Sequence, residues 1–241
     1  MKRAIWFLVI ALFILLVIEP NTHTNTDVAA ERIPVYDPEA PLRTNNDVET
    51  RQSVSNALIV IDPARGGRDA GYKGAGQTSE KDLTMQLALT IGSNLEKAGY
   101  RVEYTRWYDD VPACSTEEEC ENSRVQEAKD LGADYVISLA LNQDESLHRG
   151  FSIFTQPNNA KLSSLAKDLS TSLQSISYTR YEGMDTDHYD SFALLRDDQL
   201  PSVLLQLGYV TNPQDYSKLS DPKIQERIGQ AVTRSFLNSV N

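Results

Sequence analysis

The chain has 241 residues, 40% of them hydrophobic, and carries a formal net charge of −11 at pH 7. A chain of that length can bury one sizeable core plus tails, so a single domain is the starting expectation. The balance of 34 Asp and Glu against 23 Lys and Arg excludes a surface made to hold nucleic-acid phosphates, which gathers Lys and Arg on one face.

Met1-Lys2-Arg3 is positively charged and Ala4 to Ile18 is an unbroken apolar run, so residues 1–20 read as a membrane anchor or a signal segment. Glu19-Pro20-Asn21-Thr22-His23 follows the run, and the first pair of small residues is Ala29-Ala30. That favours an uncleaved single-pass anchor, with Lys2 and Arg3 in the cytoplasm, over cleavage and secretion. Residues 21–56 have no sustained periodicity and are rich in Asn, Thr, Asp, Glu and Pro, the composition of a disordered linker. The folded domain is expected over 57–241, outside the cytoplasm.

Ala57-Leu58-Ile59-Val60 reads as a buried strand, and Pro63 with Gly66-Gly67 stops it abruptly. Asp62 and Arg65 then fall at the carboxyl end of a strand, the edge at which open α/β sheets build ligand sites. For the stretch alone, a tight connection made by Asp62 and the glycines is the simpler account. Ser79 can cap a helix from about Glu80 to Ala98, with Leu83, Leu87, Ile91 and Leu95 on one face and Gly99 closing it. Arg101 to Thr105 is a short strand. Thr116-Glu117-Glu118-Glu119 is a capping-box pattern opening a helix that ends near Gly132, and its glutamates read as a solvated helix start favoured by the helix dipole.

Tyr135 to Leu141 is apolar almost throughout, as a central parallel strand is, and Phe151 to Thr155 is a further strand. Asn158 to Ile176 places Leu162, Leu165, Ala166, Leu169, Leu173 and Ile176 at helical spacing. Phe192 to Leu195 and Ser202 to Leu207 are expected strands, with loops at Gln143 to Arg149 and Thr179 to Tyr189. An amphipathic helix from about Asp221 carries Ile224, Ile228, Val232 and Phe236. The alternation predicts an α/β fold: a single three-layer domain, a mostly parallel twisted sheet with helices on both faces.

Cys114 and Cys120 lie close together in an acidic loop, on the oxidising side of the membrane under the anchor reading. A local disulfide is the first reading and two free thiols the other. Two cysteines alone offer too few ligands for a metal.

Several stretches, in order and spacing, cover nearly all of Ala57 to Asn241: Ile61-Asp62-Pro63 with Gly66-Gly67, Glu80-Lys81-Asp82-Leu83, Leu95 to Tyr100, Thr105-Arg106, Gly132-Ala133-Asp134 leading to Ile137-Ser138 and Asn142, Leu195-Arg196, Pro201, and Leu207-Gly208-Tyr209 with Asn212-Pro213. Together they resemble the zinc-dependent N-acetylmuramoyl-L-alanine amidases of the Amidase_3 type, which have a phosphorylase/hydrolase-like fold and cut between the muramic acid lactyl group and the stem peptide of peptidoglycan.

The resemblance implies a zinc ion held by two histidines and a glutamate, with a second glutamate as general base. This sequence departs from that pattern. The first histidine position is Arg65 and the second is Ala140; the glutamate ligand is retained as Glu80; the catalytic glutamate position is Gln206. A guanidinium offers no lone pair to a metal, alanine offers nothing, and Gln206 cannot take a proton. Of the other candidates, His23 falls in the linker and His148 and His188 in loops, Asp62 is expected to orient backbone amides, and Asn142 and Arg196 are expected to border a groove.

These departures imply an inactive site without a metal or other cofactor, in which Arg65 enters the vacated position and pairs with Glu80. The expected function is that of a membrane-tethered, extracytoplasmic amidase-like domain that binds peptidoglycan or a cell-wall protein in a regulatory or scaffolding role. The alternatives are an active peptidoglycan amidase holding zinc at an unrecognised site, and a closed cleft whose acidic surroundings bind another envelope protein.

Overall fold

Residues 56–73, 78–111, 114–144 and 148–240 are described by a computed structural model. The anchor expected over 1–20, and all but the last residue of the linker expected over 21–56, lie outside them. Among the described residues no helix is long and apolar enough to cross a membrane.

The chain runs β1 (Leu58–Pro63), α1 (Glu80–Lys97), β2 (Arg101–Tyr104), α2 (Glu117–Asp130), β3 (Tyr135–Asn142), β4 (Phe151–Thr155), α3 (Ala160–Ser175), β5 (Tyr181–Asp185), α4 (Ala193–Arg196), β6 (Ser202–Tyr209), α5 (Pro213–Leu219) and α6 (Pro222–Ser239). The strands form one sheet of six in the order β2-β1-β3-β6-β4-β5. Pairing is parallel except between β4 and β6, so the mostly parallel sheet expected from the alternation of elements is what forms.

Side chains of β1 alternate between its two faces, as a strand requires. Ile59 and Ile61 join the large core with Leu83, Leu87 and Ile91 of α1, Leu165 and Leu169 of α3, and Ile228 and Phe236 of α6. Leu58 and Val60 join a smaller core with Ala128 of α2, Val136 of β3 and Leu194 of α4. A strand covered on both faces must be apolar at every position, which is why Leu58 to Ile61 reads as a continuous run. Each such side chain contributes about 1.5–3 kcal/mol on burial.

Helix starts follow local chemistry. Thr116 accepts a hydrogen bond from the Glu119 amide (3.1 Å), while the Glu119 carboxylate accepts from the Ser115 amide (2.7 Å), a capping box reaching one residue further back than usual. Ser79 precedes α1 but does not cap it with its side chain; its hydroxyl donates to Asp82 (2.5 Å). The first amides of α1 bond instead to the preceding loop, Glu80 N to the Tyr72 carbonyl (2.7 Å) and Lys81 N to the Ala70 carbonyl (3.3 Å).

Two expectations need correction. Phe192 to Leu195 is not a strand: Ala193–Arg196 forms a helical turn, with Leu194 buried in the smaller core and the Phe192 ring against Phe154 at 5.0 Å. A short apolar run has no period that separates strand from helix. The loop expected over Thr179 to Tyr189 contains β5, an edge strand whose half-buried and exposed residues alternate. Helix α5 was not anticipated either; Asn212 caps it through the amides of Gln214 (2.9 Å) and Asp215 (3.3 Å), and Pro213 occupies its first turn.

Candidate functional site: a strand-end cleft closed on an arginine

The parallel strands β1, β3 and β6 end together, and a cleft of about 500 Å³ opens where they do. Asp62, Arg65, Glu80, Ser138, Ala140 and Gln206 all line it. Register explains part of this grouping, because Asp62 pairs with Ser138 and Ala140 pairs with Gln206 across neighbouring strands.

Arg65 stands in the left-handed region (φ 68°), followed by Gly66 at φ 132° and Gly67 at φ 56°. A Cβ on Gly66 would lie 2.7 Å from both Arg106 Cδ and Val111 Cγ1, so this position requires glycine. Hydrogen bonds between Gly66 and Asp69 in both directions, 2.9 and 3.0 Å, close the turn and point the Arg65 side chain at the start of α1.

Three carboxylates meet that guanidinium. Nε donates to Glu80 Oε2 (3.2 Å), and Nη1 donates to Asp69 Oδ2 (3.3 Å) and to Glu117 Oε1 (2.6 Å), while the Tyr72 ring lies under it at 5.7 Å. Glu80 is only 1% exposed. Its Oε2 also faces the Tyr72 amide (3.4 Å), and its Oε1 accepts from the Leu141 amide (3.2 Å), where the β3–β6 register shifts between Ala140 and Asn142. Burial pushes the Glu80 carboxyl above its ordinary range, opposed by the charge of Arg65 and the amides of Leu141 and Tyr72. Burial also works against the Arg65 charge, but Glu80 and Asp69 more than offset it and the guanidinium is held still more firmly protonated.

Asp62 is fully buried and accepts from Thr105 Oγ1 (2.6 Å) and Ser138 Oγ (2.8 Å). Arg124 Nε lies 3.0 Å from it as an ion pair without hydrogen-bond alignment. The expectation that Asp62 orients backbone amides is corrected: through side chains it ties β1 to Thr105 just past β2, to β3 and to α2. Glu117, Glu118 and Glu119 are all exposed in the first turn of α2, as a solvated helix start requires; Glu117 in addition reaches Arg65, and Glu119 caps the helix. Cys114 and Cys120 are disulfide-bonded and bracket Glu117.

Asn142 lines the cleft, its Oδ1 accepting from the Gln143 amide (2.9 Å). Arg196 does not; it is exposed and donates to the Asp190 carbonyl (3.3 Å). His148 pairs with Asp144 (2.6 Å) and His188 with Asp185 (2.7 Å), neither at the cleft, and His23 lies outside the described residues. Sequence reasoning missed Tyr72, Glu121, Arg124 and Phe192, which also line it; nothing in the spacing of the polar helix α2 marks its Glu121 and Arg124 as inward-facing.

A zinc ion needs three protein donors with an open position. The three ligand positions, Arg65, Glu80 and Ala140, supply one, Glu80, and its oxygens are already engaged by Arg65 and two amides. Among the described residues no cluster of three or more His, Cys, Asp or Glu is placed to hold a metal. The residues present do not fit zinc.

The profile of the Amidase_3 family, described as N-acetylmuramoyl-L-alanine amidase, matches residues 59–238. The chain belongs to the Amidase_3 family. This Amidase_3 chain is 27% identical over 217 residues to the "Probable cell wall amidase LytH" of Staphylococcus aureus, which covers 87% of this chain and 62% of that protein. It therefore spans less than two thirds of the length of that curated relative. Among solved structures, the N-acetylmuramoyl-L-alanine amidase AmiC2 of Nostoc punctiforme superposes with TM-score 0.66 at 25% identity, over 77% of this chain and 97% of AmiC2. The CwlD amidase of Clostridioides difficile, solved in complex with the GerS lipoprotein, superposes with TM-score 0.65 at 25% identity, over 77% of this chain and 98% of CwlD. The six-stranded α/β domain described above is thus the Amidase_3 fold.

Proposed function

We propose that this chain is an Amidase_3 domain without hydrolytic activity or metal, tethered at the outer face of the membrane by residues 1–20, which binds peptidoglycan or a cell-wall protein in a regulatory or scaffolding role. The observation that carries the reading is the Arg65–Glu80 pair. It sets a permanent cation where the family's chemistry calls for a metal ligand and engages the one donor that remains. Gln206 supports the same reading: an amide cannot accept the proton of an attacking water, and losing a general base typically costs about 10²–10⁴ in rate. The cell-wall relatives support the location, and the CwlD–GerS complex supports a domain of this fold serving as one half of a protein pair.

The test is made on the full chain purified in detergent. Zinc is quantified, and the protein is incubated with intact peptidoglycan while newly exposed alanine amino groups are counted. The expected result is zinc far below one per chain, no release, and retention of the chain on sedimented peptidoglycan. Stoichiometric zinc with release would establish the active amidase instead. Absence of retention would remove peptidoglycan as the ligand and leave the protein-partner role.

A further inference from the structure

The geometry points to a second ligand surface, separate from the cleft, at which Trp107 and Tyr108 stack against a neutral glycan chain of β-linked N-acetylhexosamines. This rests on the peptidoglycan-binding reading above and assigns the glycan to a site of its own.

Trp107 is 49% and Tyr108 68% exposed, adjacent members of a small set of large hydrophobic side chains left open among the described residues. Isolated exposed hydrophobics need no explanation, whereas a paired and rigid presentation does. Rigidity comes from Arg106, itself 3% exposed. Its Nε donates to the Pro63 carbonyl (2.9 Å), its Nη2 to the Lys81 carbonyl (2.8 Å), and its Nη1 to the Tyr108 carbonyl. The turn is closed by the Asp110 amide on the Trp107 carbonyl (2.9 Å). The Trp107 ring is backed by Tyr104 at 4.7 Å, whose own ring is buried with its hydroxyl lodged against Gly92 of α1. Tyr108 holds φ 51°, a left-handed conformation that costs a bulky residue about 1–3 kcal/mol and persists only where surrounding contacts enforce it. An aromatic kept exposed under strain is a binding feature rather than a packing one.

The neighbouring groove decides the ligand class. It has a volume of about 550 Å³, and Tyr108 forms part of its wall. Its charged side chains cancel, Lys81 and Arg106 against Asp82 and Asp109, and Lys81 is 2.9 Å from Asp109. A neutral groove that mixes polar groups such as Thr78 and Gln86 with the apolar Met85 and Leu89, walled by the Tyr108 ring and next in sequence to Trp107, suits a sugar, which offers apolar C–H faces to a ring and hydroxyl or acetamido groups to polar neighbours. It offers no net attraction to an anionic polymer or lipid headgroup.

The experiment titrates the full chain with a soluble β-1,4-linked N-acetylglucosamine hexamer by calorimetry. Saturable binding is expected, weakened about tenfold or more by Trp107→Ala and by Tyr108→Asn, with Met184→Ala, at an exposed site on β5, unchanged. Asn tolerates the left-handed backbone, so Tyr108→Asn removes the ring without disturbing the turn, and equal melting temperatures verify this. Binding untouched by both substitutions overturns the assignment. Retention on whole peptidoglycan without hexamer binding overturns this surface while leaving the proposed function standing; loss of both overturns this surface and peptidoglycan as the ligand, leaving only the protein-partner role. Adhesion to phosphatidylglycerol vesicles that depends on Trp107, with no hexamer binding, would make the loop a membrane contact instead.

Discussion

Arg65 Nε lies 3.2 Å from Glu80 Oε2 at the mouth of the strand-end cleft, joining a side chain with a quarter of its surface exposed to one that is 1% exposed. A buried carboxylate deprived of its partner is left with two amides and no countercharge.

Arg65→Ala should therefore destabilise the domain by about 2–4 kcal/mol, the lower end allowing for the exposed part of the guanidinium. Arg234→Ala, on the exposed face of α6, should change stability by less than about 0.5 kcal/mol. Urea denaturation of both variants decides the matter; equal midpoints would mean that the pair contributes nothing.

Rebuilding the donor set should restore a metal site. Arg65→His with Ala140→His places two imidazoles beside Glu80, three donors in all, and should bring zinc retention close to one per chain. Adding Gln206→Glu, directly opposite position 140 in the sheet register, should then raise peptidoglycan hydrolysis by at least about 10² over the two-histidine variant. Failure of the two-histidine variant to hold zinc would show that the backbone of this cleft has drifted from a metal geometry.

The Cys114–Cys120 disulfide closes a loop of sequence separation 6 at the start of α2. Constraint of so short a loop is worth about 2 kcal/mol, so Cys114→Ser should lower the melting temperature by roughly 4–8 °C. Reduction of the wild-type chain should do the same, and an unchanged melt on reduction would contradict it.

His188 should titrate above its ordinary value of 6.5, because the Asp185 carboxylate accepts its ring N–H and favours the charged form. The sign follows: the contribution of the pair to stability is complete below 6.5 and fades as pH rises through the raised value. An NMR titration of the ring protons measures it directly, and Asp185→Asn should lower the midpoint, with Asp187 and Asp190 still favouring the charged form.

Much of the fold was legible because β1, β3 and β6 are sheathed on both faces and α1, α3 and α6 on one, so burial wrote itself into runs and periods. β5 was not, since Tyr181-Glu182-Gly183-Met184-Asp185 lies at an edge, pairs on one side only, and needs no apolar run. Arg65 and Glu80 are 15 positions apart with no period linking them, so only the resemblance to a family put them in one place. The embrace of Arg65 by Glu117 was invisible because a glutamate in a first helical turn has an adequate local reason to be there. Arg124 escaped notice for the opposite reason: in a helix with one fully buried residue, Ala128, nothing distinguishes an inward arginine from a solvated one.

The shape of the turn that carries Arg65 is dictated by the fit of Gly66 against Arg106 and Val111 and by its closure on Asp69. None of these contacts involves the Arg65 side chain. The position works as a socket: the backbone mount is set by glycine fit and by main-chain bonds, and the occupant adds only side-chain contacts to Glu80, Asp69 and Glu117, so its identity can change while the mount keeps its shape.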